Sequence, residues 1–184
     1  MTKNFLNTIV KNKITSHKCL HPYSAAVIVV SDRCSQKPEL DTSGENLVEL
    51  LKNAGFNKTE KFIVPDEIEN IKNILKQEST KNALILTTGG TGFAPRDITP
   101  EATTSIIERP VSGIPEAMRS ASMQITDKAC LSRGTAGIRG KCLIINLPGS
   151  LRAAEENFLS VLNPVIHGIE MLNTADADCA GHYK

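Results

Sequence analysis

Four consecutive residues, Gly89, Gly90, Thr91 and Gly92, carry the clearest chemical signal in this sequence. Glycines put no side chain between a ligand and the backbone, and successive amides in such a run form a concave nest for an anion. Thr91 adds a hydroxyl donor. A helix starting near Thr99 would aim its positive end at the same place, so phosphate is the natural guest. The run is not a P-loop, because no Gly-Lys-Ser/Thr closes it. Nor is it a GxGxxG fingerprint, because Pro95 stands where the last glycine belongs. A Walker NTPase and a Rossmann dehydrogenase are therefore unsupported by motif. The bland alternative is a turn that uses glycine for backbone geometry alone.

Two carboxylates, Asp66 and Asp97, fall near the glycine run in this reading. Oxygen donors beside a phosphate suit Mg²⁺, which bridges protein and phosphate oxygens and neutralises charge as phosphorus is attacked. Each has a structural alternative: a helix cap for Asp66, a turn or an arginine partner for Asp97. Asp41, Thr42, Ser43 and Gly44 mark a helix start that suits an anion or a polar ring, or else plain capping by Thr42 or Ser43. Arg133 and Arg139 bring forked guanidiniums, matched to phosphate oxygens, into a glycine-bearing segment; the alternative is surface arginine. Cys34 has no histidine nearby in sequence and reads as an inert thiol.

These residues need a scaffold, and hydrophobic patterning supplies one. Residues 25–30 and 83–86 are continuous apolar runs, the mark of strands buried on both faces. Further strands are predicted over 61–64 and 142–147. Helices are predicted over 43–54, stopped by Gly55 and boxed by Thr42 and Glu45, and then from Asp66. Another is predicted from Thr99, which caps it ahead of Pro100, and one more over 115–123. Two closing helices follow over 153–162 and 164–172, with Asn163 capping the second. Strand and helix in alternation mean an α/β domain with a mostly parallel sheet and helices on both faces. Ligands bind such sheets at the carboxyl ends of the strands. Ser31 and Asp32, Pro65 to Glu67, Gly89 to Asp97, and Pro148, Gly149 and Ser150 should therefore converge on one crevice.

Composition sets the outer bounds. The chain has 184 residues, a formal net charge of +1, 4% aromatics and no tryptophan. One domain of this size buries a sufficient core without staples. Near-neutral charge argues against a duplex-DNA binder, and scarce aromatics argue against a single-strand stacking platform. No apolar run approaches a membrane span. Five scattered cysteines without CxxC spacing read as reduced thiols in a cytoplasmic protein. Residues 1–22 read as a flexible leader, 23–173 as the domain and 174–184 as a polar tail.

The ordered set of motifs goes further. Val30-Ser-Asp32, Asp41-Thr-Ser-Gly44, Val64-Pro-Asp-Glu67, Thr87-Thr-Gly-Gly-Thr-Gly-Phe-Ala-Pro-Arg-Asp97, Thr99-Pro-Glu-Ala-Thr103, Leu131-Ser-Arg133, Gly137-Ile-Arg-Gly140 and Asn146-Leu-Pro-Gly149 resemble the molybdopterin adenylyltransferase family, including the G domains of gephyrin and plant Cnx. The resemblance runs from about residue 25 to 172. It implies a three-layer α/β/α domain with a mixed sheet, assembled as a homotrimer. The implied reaction is Mg²⁺-ATP-dependent adenylylation of molybdopterin with release of pyrophosphate, ahead of molybdate insertion. It further implies catalytic, metal-holding roles for Asp66 and Asp97 and a role in turnover for Ser132. Substrate-lining roles are implied for Ser31, Asp32, Asp41, Ser43, Gly44, Gly89, Gly90, Thr91, Gly92, Arg96, Thr99, Arg133, Pro148, Gly149 and Ser150. No molybdate-inserting domain follows residue 172, so a stand-alone enzyme or part of a longer protein is expected, handing its product to such a domain or protein. A pterin-binding module without turnover and another nucleotide-processing enzyme are the competing readings.

Overall fold

Six strands build one sheet in the computed structural model, which describes residues 21–174. β1 (His21–Val30) pairs in parallel with β2 (Phe56–Val64) on one side and β3 (Leu84–Thr88) on the other. β6 (Cys142–Leu147) continues in parallel beyond β3. β5 (Ala136–Arg139) and the two-residue β4 (Arg109–Pro110) close that side antiparallel, giving the order β2-β1-β3-β6-β5-β4.

The continuous apolar runs are explained by two-sided burial. Ala25, Val27 and Val29 point to one face, packed with α2 (Ser43–Asn53), α5 (Gly113–Met123) and α6 (Leu151–Asn173). Ala26, Ile28 and Val30 point to the other, packed with α3 (Ile68–Glu78) and α4 (Thr99–Thr104). The three-layer α/β/α architecture with a mixed, mostly parallel sheet is thus the observed one. Successive strand residues alternate faces, so a strand covered on both sides has no solvent-facing position, and its polar residues must find partners inside the protein.

Several local expectations need correction. The two closing helices are one 23-residue helix, α6, with Pro164 inside it and Asn163 not a cap. An interior proline costs about 3 kcal/mol. Here it lies on the exposed face, where water can serve the freed carbonyl. The same helix buries Phe158, Val161, Leu162, Val165, Ile166 and Ile169, each stabilising by roughly 1.5–3 kcal/mol. Burial outweighs the break. Thr42 makes no capping hydrogen bond; Asp41 Oδ1 instead accepts from the Gly44 amide at 2.8 Å. Asp66 and Thr99 do not cap α3 and α4, which are flanked by Glu67 and Ile98 without side-chain caps. The Gly137 to Gly140 segment, for which no strand is predicted, forms β5 and its turn, with Gly140 at φ 56°. β1 starts at His21, so His21 and Pro22 belong to the sheet; the rest of the expected leader, and the tail beyond 174, lie outside the described residues. No helix among the described residues is long and apolar enough to cross a membrane.

Candidate active site

Sheet register brings the first two aspartates together. Val30 pairs with Val64 at the carboxyl ends of β1 and β2, so residues two further on face each other. The Asp32 amide donates to Asp66 Oδ2 at 2.8 Å, and the Asp66 amide donates to Asp32 Oδ1 at 3.0 Å. Asp32 also opens α1 (Asp32–Gln36), a short helix absent from the sequence reading and capped by Ser31 Oγ, which accepts from the Cys34 amide. Arg96 reaches across with its fork: Nε donates to Asp32 Oδ2 at 2.6 Å and Nη2 to Oδ1 at 2.8 Å. That guanidinium holds Asp32 below the usual carboxylate range. Asp66 moves the other way. Burial pushes it up, and the charges of Asp32 and Asp97 push it further, against partial relief from the Asp32 amide and Arg96.

Asp97 sits on the glycine run. Its Oδ2 accepts from the Ala94 amide at 3.0 Å, and a Cβ at Gly92 would come within 2.8 Å of that oxygen. Asp66 Oδ1 would lie 3.2 Å from a Cβ at Gly90. Two carboxylates that repel one another across a glycine loop form an oxygen-donor set that fits Mg²⁺, which is commonly held by one or two carboxylates with phosphates and waters completing the shell. No group of three His, Cys, Asp or Glu side chains able to hold a metal occurs among the described residues.

Gly89 could be nothing else. Its φ is 104°, and a Cβ there would lie 2.2 Å from the Val30 carbonyl oxygen. Gly149 packs directly on Gly89, and Thr88 Oγ1 donates to the Pro148 carbonyl at 2.7 Å, so the β3 and β6 ends meet. The Gly89 amide is bonded to Leu147, but the amides of Gly90, Thr91 and Gly92 make no hydrogen bond among the described residues. Ser150 caps the long α6 through the Ala153 amide, so the N-terminus with the larger dipole comes from α6 rather than from six-residue α4. Thr99 instead ties the loop down: its amide donates to the Gly90 carbonyl and its hydroxyl to the Gly89 carbonyl.

Asp41 and Ser43 are less open than the sequence suggested. The Asp41 side chain is fully buried, with Oδ2 2.8 Å from Lys61 Nζ. Lys61 also pairs with Glu45. Burial pulls the Lys61 ammonium down, but its two carboxylate partners hold it above its ordinary value. Asp41 therefore shapes the start of α2 rather than facing solvent. Ser43 is buried beside Thr88, and a Cβ at Gly44 would strike Val29 and Asp41.

On the other side of the loop lies a cleft of about 280 Å³. Thr91, Gly92, Ser132, Pro148, Asn157 and Arg119 are among the residues lining it. Ser132 Oγ accepts weakly from the Gly134 amide. Arg119 of α5, unnoticed in the sequence, donates from Nη1 to the carbonyls of Gly134 at 3.1 Å and Ser132 at 3.4 Å. Its one signal was a lone arginine beside buried Met118 on an amphipathic helix. Asn157 and Lys61 carry no local signal either, because Ser122 and Asp41, which they bond, are remote in sequence. Arg133 turns away from the cleft. Its Nε donates to the Gly92 carbonyl at 2.6 Å, and its other nitrogens engage the Asp97 carbonyl and Glu101. Arg139 donates to the Ile106 carbonyl, away from the carboxylates.

Amides, carboxylates and an adjoining cleft gather at the carboxyl ends of parallel strands, the place where open α/β sheets bind small ligands. Comparison with known proteins sharpens the class. Residues 26–168 match the family described as a probable molybdopterin binding domain, and the chain belongs to that family, one of molybdenum cofactor biosynthesis. It is 42% identical over 174 residues to gephyrin of Dictyostelium discoideum, covering 89% of this chain and 24% of that protein. It is 39% identical over 150 residues to molybdopterin adenylyltransferase of Helicobacter pylori, covering 79% of this chain and 85% of that enzyme. The chain spans about a quarter of the gephyrin and cinnamon relatives, 24% and 25%. Among solved structures, the molybdopterin biosynthesis enzyme MoaB of Thermus thermophilus superposes with a TM-score of 0.76 at 39% identity, covering 82% of this chain and 96% of that one.

Proposed function

We propose that this chain is a molybdopterin adenylyltransferase, joining the AMP portion of ATP to the terminal phosphate of molybdopterin and releasing pyrophosphate. Relatives named for that activity support it. Within the site, one observation carries it: the amides of Gly90, Thr91 and Gly92, unbonded among the described residues, lie beside two mutually repelling carboxylates. An anion nest next to like charges is a balanced arrangement once a divalent cation and phosphate oxygens are added.

In the reaction, a terminal phosphate oxygen of the pterin bonds to the α-phosphorus of ATP. The bond from that phosphorus to the bridging oxygen of pyrophosphate breaks. Mg²⁺, held by Asp66 and Asp97, would supply neutralisation of the phosphate oxygens. The chain's own contribution is positioning. The amides of Gly90 to Gly92, with Gly149 and the α6 N-terminus at Ser150, receive phosphate oxygens. Ser31, Asp32 and Arg96 border the carboxylates, while Asp41, Ser43, Gly44 and Thr99 hold the walls. The cleft beside Ser132 takes the pterin ring, with the Ser132 hydroxyl turned to the substrate. A homotrimer, a cytoplasmic location and hand-over to a molybdate-inserting domain or protein complete the proposal.

Asp66→Asn and Asp97→Asn are expected to lower kcat on the order of 100-fold or more while keeping pterin affinity, read by pyrophosphate release and by titration with molybdopterin. Normal turnover in both variants overturns the mechanism. Tight pterin binding without pyrophosphate release in the unaltered protein would make it a binding module, and a co-purified nucleotide of another class would make it a different enzyme. Light scattering is expected to give three times the chain mass; a monomer removes the trimer.

A further inference from the structure

Arg133 is the residue whose geometry departs furthest from what its motif suggests. A phosphate ligand needs a guanidinium edge turned to the ligand. Here all three guanidinium nitrogens are bonded within the protein: Nε to the Gly92 carbonyl, Nη2 to the Asp97 carbonyl and Nη1 to Glu101 Oε1. The Arg133 amide adds a fourth bond, to the Thr91 carbonyl at 3.0 Å. The segment so gripped has one other long-range hold, the Arg96 fork on Asp32, which ties the middle of the turn and not its two ends. Between Gly92 and Asp97 the turn is closed by the Asp97 amide on the Ala94 carbonyl and the Ala94 amide on Asp97 Oδ2. Phe93 at its tip is 70% exposed, too open to anchor the turn by packing. Both ends of the turn that carries Asp97 are therefore tied to one side chain, and Glu101 in the first turn of α4 holds that side chain's remaining end.

We propose that Arg133 and Glu101 are positioning residues that set Asp97 against Asp66, rather than ligands of the substrate phosphates. The proposal rests on the adenylyltransferase assignment for its kinetic consequence. The same residue follows Ser132 directly, so the brace also links the cleft wall to the Asp97 carboxylate that would hold the cation. A displacement of about 1 Å at a reacting centre can cost on the order of 100-fold in rate. Lysine at 133 keeps the charge but, as a single ammonium, cannot span three acceptors in the fork's plane.

Two variants test this, Arg133→Lys and Glu101→Gln, the second at a half-exposed position where folding is not at stake. Both are expected to speed hydrogen exchange of the 91–101 segment at least about tenfold and to raise the Mg²⁺ concentration for half-maximal rate. Both should lower kcat on the order of 10–100-fold, with the KM for ATP changed less than about threefold. The double variant should lose no more than the worse single one, because the two residues act as one unit. A rise in the KM for ATP at unchanged kcat in Arg133→Lys, with Glu101→Gln behaving as the unaltered protein, would make Arg133 a phosphate ligand and overturn the proposal. So would unchanged exchange in both variants. Exchange is read on the protein alone. Faster exchange in variants of a chain that never forms adenylylated pterin would sink the assigned reaction and leave the brace standing.

Discussion

Asp66 shows how one side chain records the charge of a whole site. Burial and two neighbouring carboxylates raise its pKa, so the folded protein holds this proton to higher pH than the unfolded chain does. The sign follows by linkage. The group's stability contribution is complete below the ordinary carboxylate range and is lost as pH climbs through its raised folded value. Asp66→Asn keeps an acceptor for the Asp32 amide and removes the charge. In chelator, its Tm should exceed that of the unaltered protein at neutral pH, and the gap should close in acid; a gap that is absent at neutral pH, or that widens in acid, contradicts the assignment of the charges. Asp41 makes the contrast. It carries the same functional group in a neighbouring motif, but Lys61 and the Gly44 amide occupy both its oxygens.

At the scale of elements, Asn146 joins three of them and the lead-in to a fourth. From β6, its Nδ2 donates to Thr87 Oγ1 of β3 at 3.0 Å and to Thr103 Oγ1 of α4 at 2.9 Å. Its Oδ1 accepts from the Thr135 amide, just before β5. The two bonds to threonine hydroxyls are buried and the one from Thr135 is part-buried, Asn146 itself being 1% exposed. Asn146→Ala strands a part-buried amide and two buried hydroxyls and should cost about 2–4 kcal/mol in urea unfolding, with the m value unchanged. A loss below about 1 kcal/mol would mean that water replaces these bonds. The reach of such hubs explains why β5 and α1 were not legible in the sequence. Each is short, and each is held by partners far along the chain rather than by its own periodicity.

For the molecule as a whole, two-sided coverage of the sheet decides which groups solvent reaches. Burial pushes the Cys142 thiol up to about 12, and Cys34 is likewise buried, whereas Cys130 is exposed on the turn ahead of Ser132. Iodoacetamide with peptide mapping should label Cys130 within minutes and Cys34 and Cys142 only after unfolding. Prompt labelling of Cys142 would mean that the layer containing α3 and α4 opens readily.

The sequence by itself determined the α/β class, the buried central strands and the segments that meet at the strand ends. These follow from local facts: apolar runs with no polar position, glycines with no tolerated side chain, and turn residues between them. Only the tertiary structure decided which way the polar side chains face. It turned Arg133 onto the glycine-loop carbonyls, buried Asp41 on Lys61, placed Arg119 in the cleft and carried α6 straight through Pro164. Orientation of a long polar side chain depends on which acceptors lie within a few ångströms. Those acceptors come from far along the chain, 41 positions away between Arg133 and Gly92 and 34 between Asp32 and Asp66. No local pattern encodes that proximity; the pairing of β1 with β2 creates it for the two aspartates, and the pairing of β3 with β6 and β6 with β5 creates it for Arg133.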